Sequence, residues 1–188
     1  MKDTKNEIFN AAIKLFAEIG YERTTMDDIA AGASVAKGTL YYYFKSKDDL
    51  FCFVVEEGMD TIRNVIHDRI RKHDNPIEKL NEIMKIQTEL IHKYNKFIVF
   101  LLTQVWGSHD RQVKFREYIF EYLRLISSIL DQAKGRKLVV DEKSDIMAVA
   151  FFGMISSTMI FSLMSDKEFN HEELASSFMK YFLTGFRK

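Results

Sequence analysis

The sequence predicts an all-α fold of about nine helices, and three observations carry that prediction. Proline occurs once and glycine eight times in 188 residues, too few turn formers for a strand-rich sandwich or barrel. Apolar side chains recur three and four positions apart along most of the chain, the period of one helix face. Between those stretches stand residues that open helices (Ser, Thr, Asn, Asp) and glycines that close them.

Taken in order, Ile8, Ala12, Leu15, Phe16 and Ile19 make the stripe of a first helix. Thr4 with Glu7 reads as its capping box and Gly20 as its left-handed stop. Thr25 caps a short second helix, with Asp27 and Asp28 in the first turn and Met26, Ile29, Ala30 and Ala33 facing inward. Ser34 and Val35 break the chain before a third short helix from about Ala36 to Phe44. Ser46, Asp48 and Asp49 open a fourth that runs to about His73. Asn75, Pro76 and Glu78 supply an N-cap, a first-turn proline and a capping partner for a helix to Tyr94. A strongly apolar run, Phe97 to Trp106, ends at Gly107 and is followed by a long helix from Asp110 to Gly135. A helix from about Glu142 to Ser165 follows, and Asn170 with Glu173 caps the last one, through Phe186.

Composition narrows the function. Lys and Arg balance Asp and Glu at 27 each, which excludes a uniformly basic nucleic-acid coat. Cys52 stands alone, so the chain has no internal disulfide and no cysteine-rich zinc site, as suits a reducing cytoplasm. The N-terminus lacks the continuous apolar segment of a signal peptide. Ile146 to Ser165 carries no charge over 20 residues, the length of a membrane span. Five of those residues are Ser or Thr and no second such stretch exists, so the expectation is a protein-buried helix and no membrane. The histidines, at 67, 73, 92, 109 and 171, lack metal-ligand spacing. With no phosphate-cradling glycine loop and no GxSxG elbow, neither an enzyme nor a cofactor is expected.

Three short helices in the first 45 residues have the layout of a helix-turn-helix, whose last helix enters the major groove. Residues 1–50 hold seven basic and eight acidic side chains, yet no acid stands between Ser34 and Lys47. A positive field confined to one element is what gripping phosphates requires. On the third helix Leu40 and Phe44 share one face, while Lys37, Gly38, Tyr41 and Tyr42 share the other. Gly38 lets the backbone approach DNA, Lys and Tyr suit phosphate oxygens, and Thr39 or Tyr42 can reach base edges. Thr24 and Thr25 lie at the positive end of the second helix, suited to a backbone phosphate.

These residues carry a resemblance. FAEIGY, then TTMDDIA, then VAKGTLYYYFKSKDDL, within residues 8–51, resemble the N-terminal signature of the TetR family of transcriptional repressors. The resemblance implies a DNA-binding domain over 1–46 and a helical ligand-binding and dimerisation domain over 47–188. It places Lys37, Gly38, Thr39, Tyr41, Tyr42, Tyr43 and Lys47, with Thr25, on the family's DNA-contact positions. Ser34 departs from the pattern, standing where many members have glycine; a left-handed serine costs more than a left-handed glycine.

The second half reads as effector pocket and dimer interface. Met84, Phe100, Trp106, Tyr118, Tyr122, Phe152 and Met154 supply large adaptable side chains, and Gln87, Thr103, Gln104 and the tyrosine hydroxyls add polar groups. Most of the apolar ones also read as ordinary core. The uncharged helix needs more cover than one chain supplies, and a second copy provides it. Leu174, Phe178, Tyr181, Phe182 and Gly185 on the last helix fit the same interface, as the resemblance also implies. The expectation is a ligand-responsive repressor that binds a palindromic operator as a homodimer and is released by a small, largely apolar or aromatic effector. The alternative is a helical adaptor that binds protein and never touches DNA.

Overall fold

A computed structural model describes residues 2–93, 98, 101, 110–165 and 170–186. Every regular element among them is a helix. These are α1 (Lys2–Ile19), α2 (Met26–Gly32), α3 (Lys37–Tyr43), α4 (Lys47–Ile70), α5 (Pro76–Lys93), α6 (Asp110–Gly135), α7 (Ser144–Ser165) and α8 (His171–Phe186). The helix expected over Phe97 to Trp106 falls almost wholly outside the described residues. The chain clusters into two compact units, Met1–Thr61 with Tyr94–Tyr118, and Ile62–Lys93 with Ile119–Lys188.

In the first unit Ile8, Ala12, Phe16, Ile29, Leu40, Phe44, Leu50 and Phe51 form a buried core, the inward stripes of α1 to α4. Phe16, Tyr21 and Phe51 pack mutually in tilted and edge-on arrangements, with ring centroids 5.1 to 6.1 Å apart. α2 packs on α1 with Gly32 facing Ala11 and Leu15, where a Cβ would stand at 3.5 Å, an ordinary contact distance. The helix start differs from expectation. α1 begins at Lys2, so Thr4 sits inside the first turns, where nothing in the sequence forbids a helix. Gly20 does end it in the left-handed region, at φ 85°. Ser46 caps α4 by accepting from the Asp49 amide at 3.1 Å, and Asp49 in return accepts from the Lys45 amide at 3.0 Å.

In the second unit α5 packs chiefly on α8 and also touches α7. Leu80, Ile83, Met84 and Ile86 from α5, Met147, Phe151 and Ile155 from α7, and Ala175, Met179 and Phe182 from α8 are all buried. Asn75 caps α5 through the Ile77 amide at 2.9 Å, and Asn170 caps α8 through the amides of Glu172 and Glu173. α6 closes unexpectedly. The left-handed residue is Lys137, at φ 57°, and Gly135 remains helical. The Leu138 amide reaches the Ala133 carbonyl at 3.0 Å across that turn, which satisfies an end carbonyl of α6.

No helix among the described residues is long and apolar enough to cross a membrane. α7 buries one side within its unit and exposes Ile146, Val149 and Phe161 on the other. Ala150, Gly153 and Ser157 are also exposed, at helical spacing along that stripe.

Candidate functional site

The turn between α2 and α3 is built by backbone. Ala33 closes α2 with its amide on the Ile29 carbonyl at 2.9 Å. Ser34 then turns left-handed at φ 56°, and its amide meets the Ala31 carbonyl at 3.1 Å. This is the conformation that made serine an uneasy choice in the sequence. Ala36 opens α3 by accepting from the amides of Thr39 and Leu40, with no side-chain cap.

α3 presents two faces. Leu40 and Phe44 are buried, Phe44 with its ring centroid 4.9 Å from that of Phe53. Lys37, Gly38, Tyr41 and Tyr42 are exposed, Tyr42 at 78%. Thr39 and Tyr43 are half-buried. Tyr43 contacts the ring of Tyr42 edge-on at 5.3 Å and lies under the Lys5 ammonium at 5.8 Å. A Cβ at Gly38 would meet nothing within 4 Å, so packing does not demand glycine there. The open backbone is available to something outside the chain.

The Lys37 ammonium lies 2.8 Å from both carboxylate oxygens of Asp27 on α2, and that contact raises its affinity for its proton. Asp27 was not foreseen as its partner. Thr25 and Asp28 complete a closed capping box. The Thr25 amide donates to Asp28 Oδ2 at 2.9 Å, the Asp28 amide donates to Thr25 Oγ1 at 3.1 Å, and the Thr25 hydroxyl donates to Asp28 Oδ2 at 2.6 Å. Hydrogen bonds from the Thr25 hydroxyl and then its amide hold the Asp28 carboxyl below its usual range.

Two of the expected DNA contacts have side chains bonded to the protein's own backbone. Thr24 is fully buried, and its hydroxyl donates to the Gly20 carbonyl at 2.8 Å, so its side chain is turned away from solvent. Lys47 points inward as well. Its ammonium donates to the carbonyls of Tyr21 at 2.8 Å, Thr24 at 3.0 Å and Glu22 at 3.2 Å, and lies 4.4 Å from the centroid of the Tyr21 ring. The Tyr21 hydroxyl in turn donates to Asp48 Oδ1 at 2.6 Å. Sequence patterns do not reveal these contacts, because the acceptors are backbone carbonyls more than 20 residues away.

Of the expected pocket residues, the second unit brings Gln87, Tyr122 and Phe152 together. The Tyr122 and Phe152 rings lie 5.9 Å apart. The Tyr122 hydroxyl and Gln87 Oε1 are both buried without a hydrogen-bond partner among the described residues. Burial pushes the Tyr122 phenol well above its ordinary value, against a weaker opposing pull from the Gln87 amide. Met154 is half-buried, whereas Met84 is fully buried in the α5 core. Tyr118 belongs to the first unit, where its hydroxyl reaches Asp60 Oδ1 at 3.4 Å. Phe100, Thr103, Gln104 and Trp106 lie outside the described residues. Of the residues expected at a dimer interface on α8, Tyr181 and Gly185 are exposed, Leu174 and Phe178 are half-buried, and Phe182 is buried with its ring edge-on to Phe151 at 5.2 Å.

A second feature of this unit escaped the sequence. Arg69 bridges Glu82 and Glu89 across a cleft of about 620 Å³ that Lys85, His171 and Glu172 also line. The guanidinium holds the Glu89 carboxyl below its usual range.

Residues 8–52 match the family described as bacterial regulatory proteins, tetR family. The chain is 27% identical over 184 residues to the fatty acid metabolism regulator protein of Bacillus subtilis, covering 95% of this chain and 93% of that one. It resembles a solved Clostridium perfringens structure, described as a fatty acid metabolism regulator, at 39% identity and TM-score 0.89, covering 95% of this chain and 97% of that one. It also resembles the Bacillus subtilis transcriptional regulator FadR solved in complex with stearoyl-CoA, at 25% identity and TM-score 0.86, covering 96% and 98%.

Proposed function

The chain is a ligand-responsive DNA-binding transcriptional regulator of the TetR family, and from that premise we propose that it is a homodimeric repressor, released from a palindromic operator by a long-chain acyl thioester of coenzyme A. The observation that carries the DNA-binding site is the outward face of α3: Lys37, Gly38, Tyr41 and Tyr42 are exposed while Leu40 and Phe44 hold the helix to its core. These residues enter the major groove, with Thr39 and Tyr43 at the margin and Thr25 fixing the start of α2. Lys37 and the tyrosine hydroxyls meet phosphates, and Tyr42, the most exposed ring of α3, reaches furthest toward the bases.

Dimerisation follows from α7 and α8. Ile146, Val149 and Phe161 with Tyr181 form an apolar surface that a second copy covers, and the small residues between them admit a close helix. Pairing sets two recognition helices about 34–36 Å apart, one turn of duplex. The dimer acts in the cytoplasm, where its operator is.

The effector class is supported by the likeness to a regulator solved with stearoyl-CoA and by the mixture of polar and apolar groups at Gln87, Tyr122 and Phe152. Such an effector is larger than the small apolar molecule expected from composition, and its apolar chain is the part that suits these residues. The test is duplex selection from a random pool, followed by titration of the complex with stearoyl-CoA and with coenzyme A alone. A palindromic consensus and release by the acyl thioester only is the expected outcome. Release by coenzyme A alone, or by neither, removes the effector reading, and failure to select any duplex removes the operator reading.

A further inference from the structure

We propose that Lys47, Tyr21 and Asp48 form a clasp that positions the DNA-binding helices, and that Lys47 itself grips no phosphate. The inference rests on the DNA-binding reading above and goes beyond it by assigning a different task to a lysine of the recognition segment.

The geometry is specific. A lysine ammonium has three protons, and those of Lys47 are directed at three carbonyls of one loop, at 2.8, 3.0 and 3.2 Å. The same cation sits 4.4 Å from the Tyr21 ring centroid. Tyr21 returns the connection through its hydroxyl to Asp48, the residue after Lys47. The first turn of α4 is therefore joined to the α1–α2 loop in both directions, cation to carbonyls and phenol to carboxylate. That loop is not held by regular structure. It leaves α1 at Gly20, in the left-handed region, and enters α2 at the Thr25 cap. The carbonyls of Tyr21, Glu22 and Thr24 converge on one point there, and the ammonium satisfies them.

The consequence for DNA binding runs through α2. Its start is fixed by the clasped loop, and its first turn holds Lys37 of α3 through Asp27. Loosening the clasp frees the angle at which α3 is presented, although no residue of the clasp belongs to the exposed face of α3. A phosphate contact and a clasp make opposite predictions for two conservative changes. Arginine serves a phosphate as well as lysine does, but its planar fork cannot point three donors at convergent carbonyls. Tyr21→Phe changes no charge and removes only the hydroxyl that reaches Asp48.

The experiment uses the full chain and a duplex that it selects from a random pool, with affinity measured across a salt series well below the melting temperature. Helix content is checked by circular dichroism for each variant. Lys47→Ala is expected to bind about tenfold more weakly with an unchanged salt slope. Lys47→Arg is expected not to restore affinity, and Tyr21→Phe to weaken binding at unchanged slope. Asp48→Ala is expected to weaken binding even though it removes a negative charge, while Asp48→Asn, which keeps an acceptor, loses less. A Lys47→Ala slope flattened by about 0.9, with full rescue by arginine and a neutral Tyr21→Phe, would make Lys47 a phosphate contact and overturn the proposal. Affinities that return to wild type once corrected for unfolded protein would reduce the clasp to a fold-stabilising contact and overturn it equally. If the wild-type chain selects no duplex, the DNA-binding reading has failed instead, and that result is distinguishable from both.

Discussion

Replacing Tyr122 by phenylalanine should stabilise the protein without its effector. The hydroxyl is buried beside the Gln87 side chain, yet neither it nor Gln87 Oε1 makes a hydrogen bond of sound geometry among the described residues. A buried polar group left unpaired costs about 1–3 kcal/mol. The ring itself is retained in Tyr122→Phe, so its contact with Phe152 survives and no cavity opens. A gain of about 1 kcal/mol corresponds to a melting temperature higher by roughly 2–4 °C for a chain of this size. Alkaline pH supplies a second, independent sign. Burial raises the folded-state pKa of this phenol above the unfolded value, so its contribution to stability is intact below that value. Above about pH 10 the unfolded chain gives up a proton that the folded chain keeps, and wild-type stability falls by up to about 1.4 kcal/mol per pH unit from this group. Tyr122→Phe lacks that loss. Thermal unfolding of both proteins from neutral to alkaline pH, with and without stearoyl-CoA, decides the matter. If the variant melts below wild type without effector at neutral pH, the hydroxyl has a partner and the reasoning is refuted. If the variant also responds more weakly to stearoyl-CoA, the same hydroxyl serves the effector.

Two further outcomes follow from the geometry. Ser34→Gly should raise stability to chemical denaturation by about 0.5 kcal/mol, since a left-handed L-residue costs roughly 1–2 kcal/mol and glycine returns only part of that as unfolded-state entropy; a loss would mean that the serine side chain holds the turn. Arg69→Met should destabilise the second unit, because Glu82 and Glu89 then lose the guanidinium that bridges them. The deficit should be widest at neutral pH and narrow as pH falls below the usual carboxylate range: the lowered pKa of Glu89 makes its contribution to wild type present above that range and lost beneath it. A deficit independent of pH in urea melts would contradict the bridge.

What the sequence disclosed and what it withheld divide along physical lines. α3 was legible almost to the residue, Lys37–Tyr43 against an expected Ala36 to Phe44, because a short helix anchored by Leu40 and Phe44 has little freedom in its register. The inward face of α2 was equally plain, since Met26, Ile29, Ala30 and Ala33 are all buried. Start and stop signals were weaker guides where an alternative residue did the same task. Lys137 takes the left-handed turn expected of Gly135, and α1 runs through the expected cap at Thr4. Least legible were charged side chains whose partners are backbone or distant. Lys47 looks like any exposed lysine until three carbonyls of a remote loop are seen around it, and Arg69 gives no hint of Glu82 and Glu89. In the same way Phe182 shares a periodic stripe with Tyr181 and Gly185, yet packs on Phe151 within its own chain.

The pairing of Lys37 with Asp27 gives the recognition helix a resident counterion. On the docking proposed above, a phosphate that meets Lys37 displaces a carboxylate belonging to the protein, so this lysine's share of the affinity is expected to depend less on ionic strength than that of an unpaired one. Away from DNA both side chains remain largely in solvent, so the carboxylate offsets only part of the lysine's field at close range.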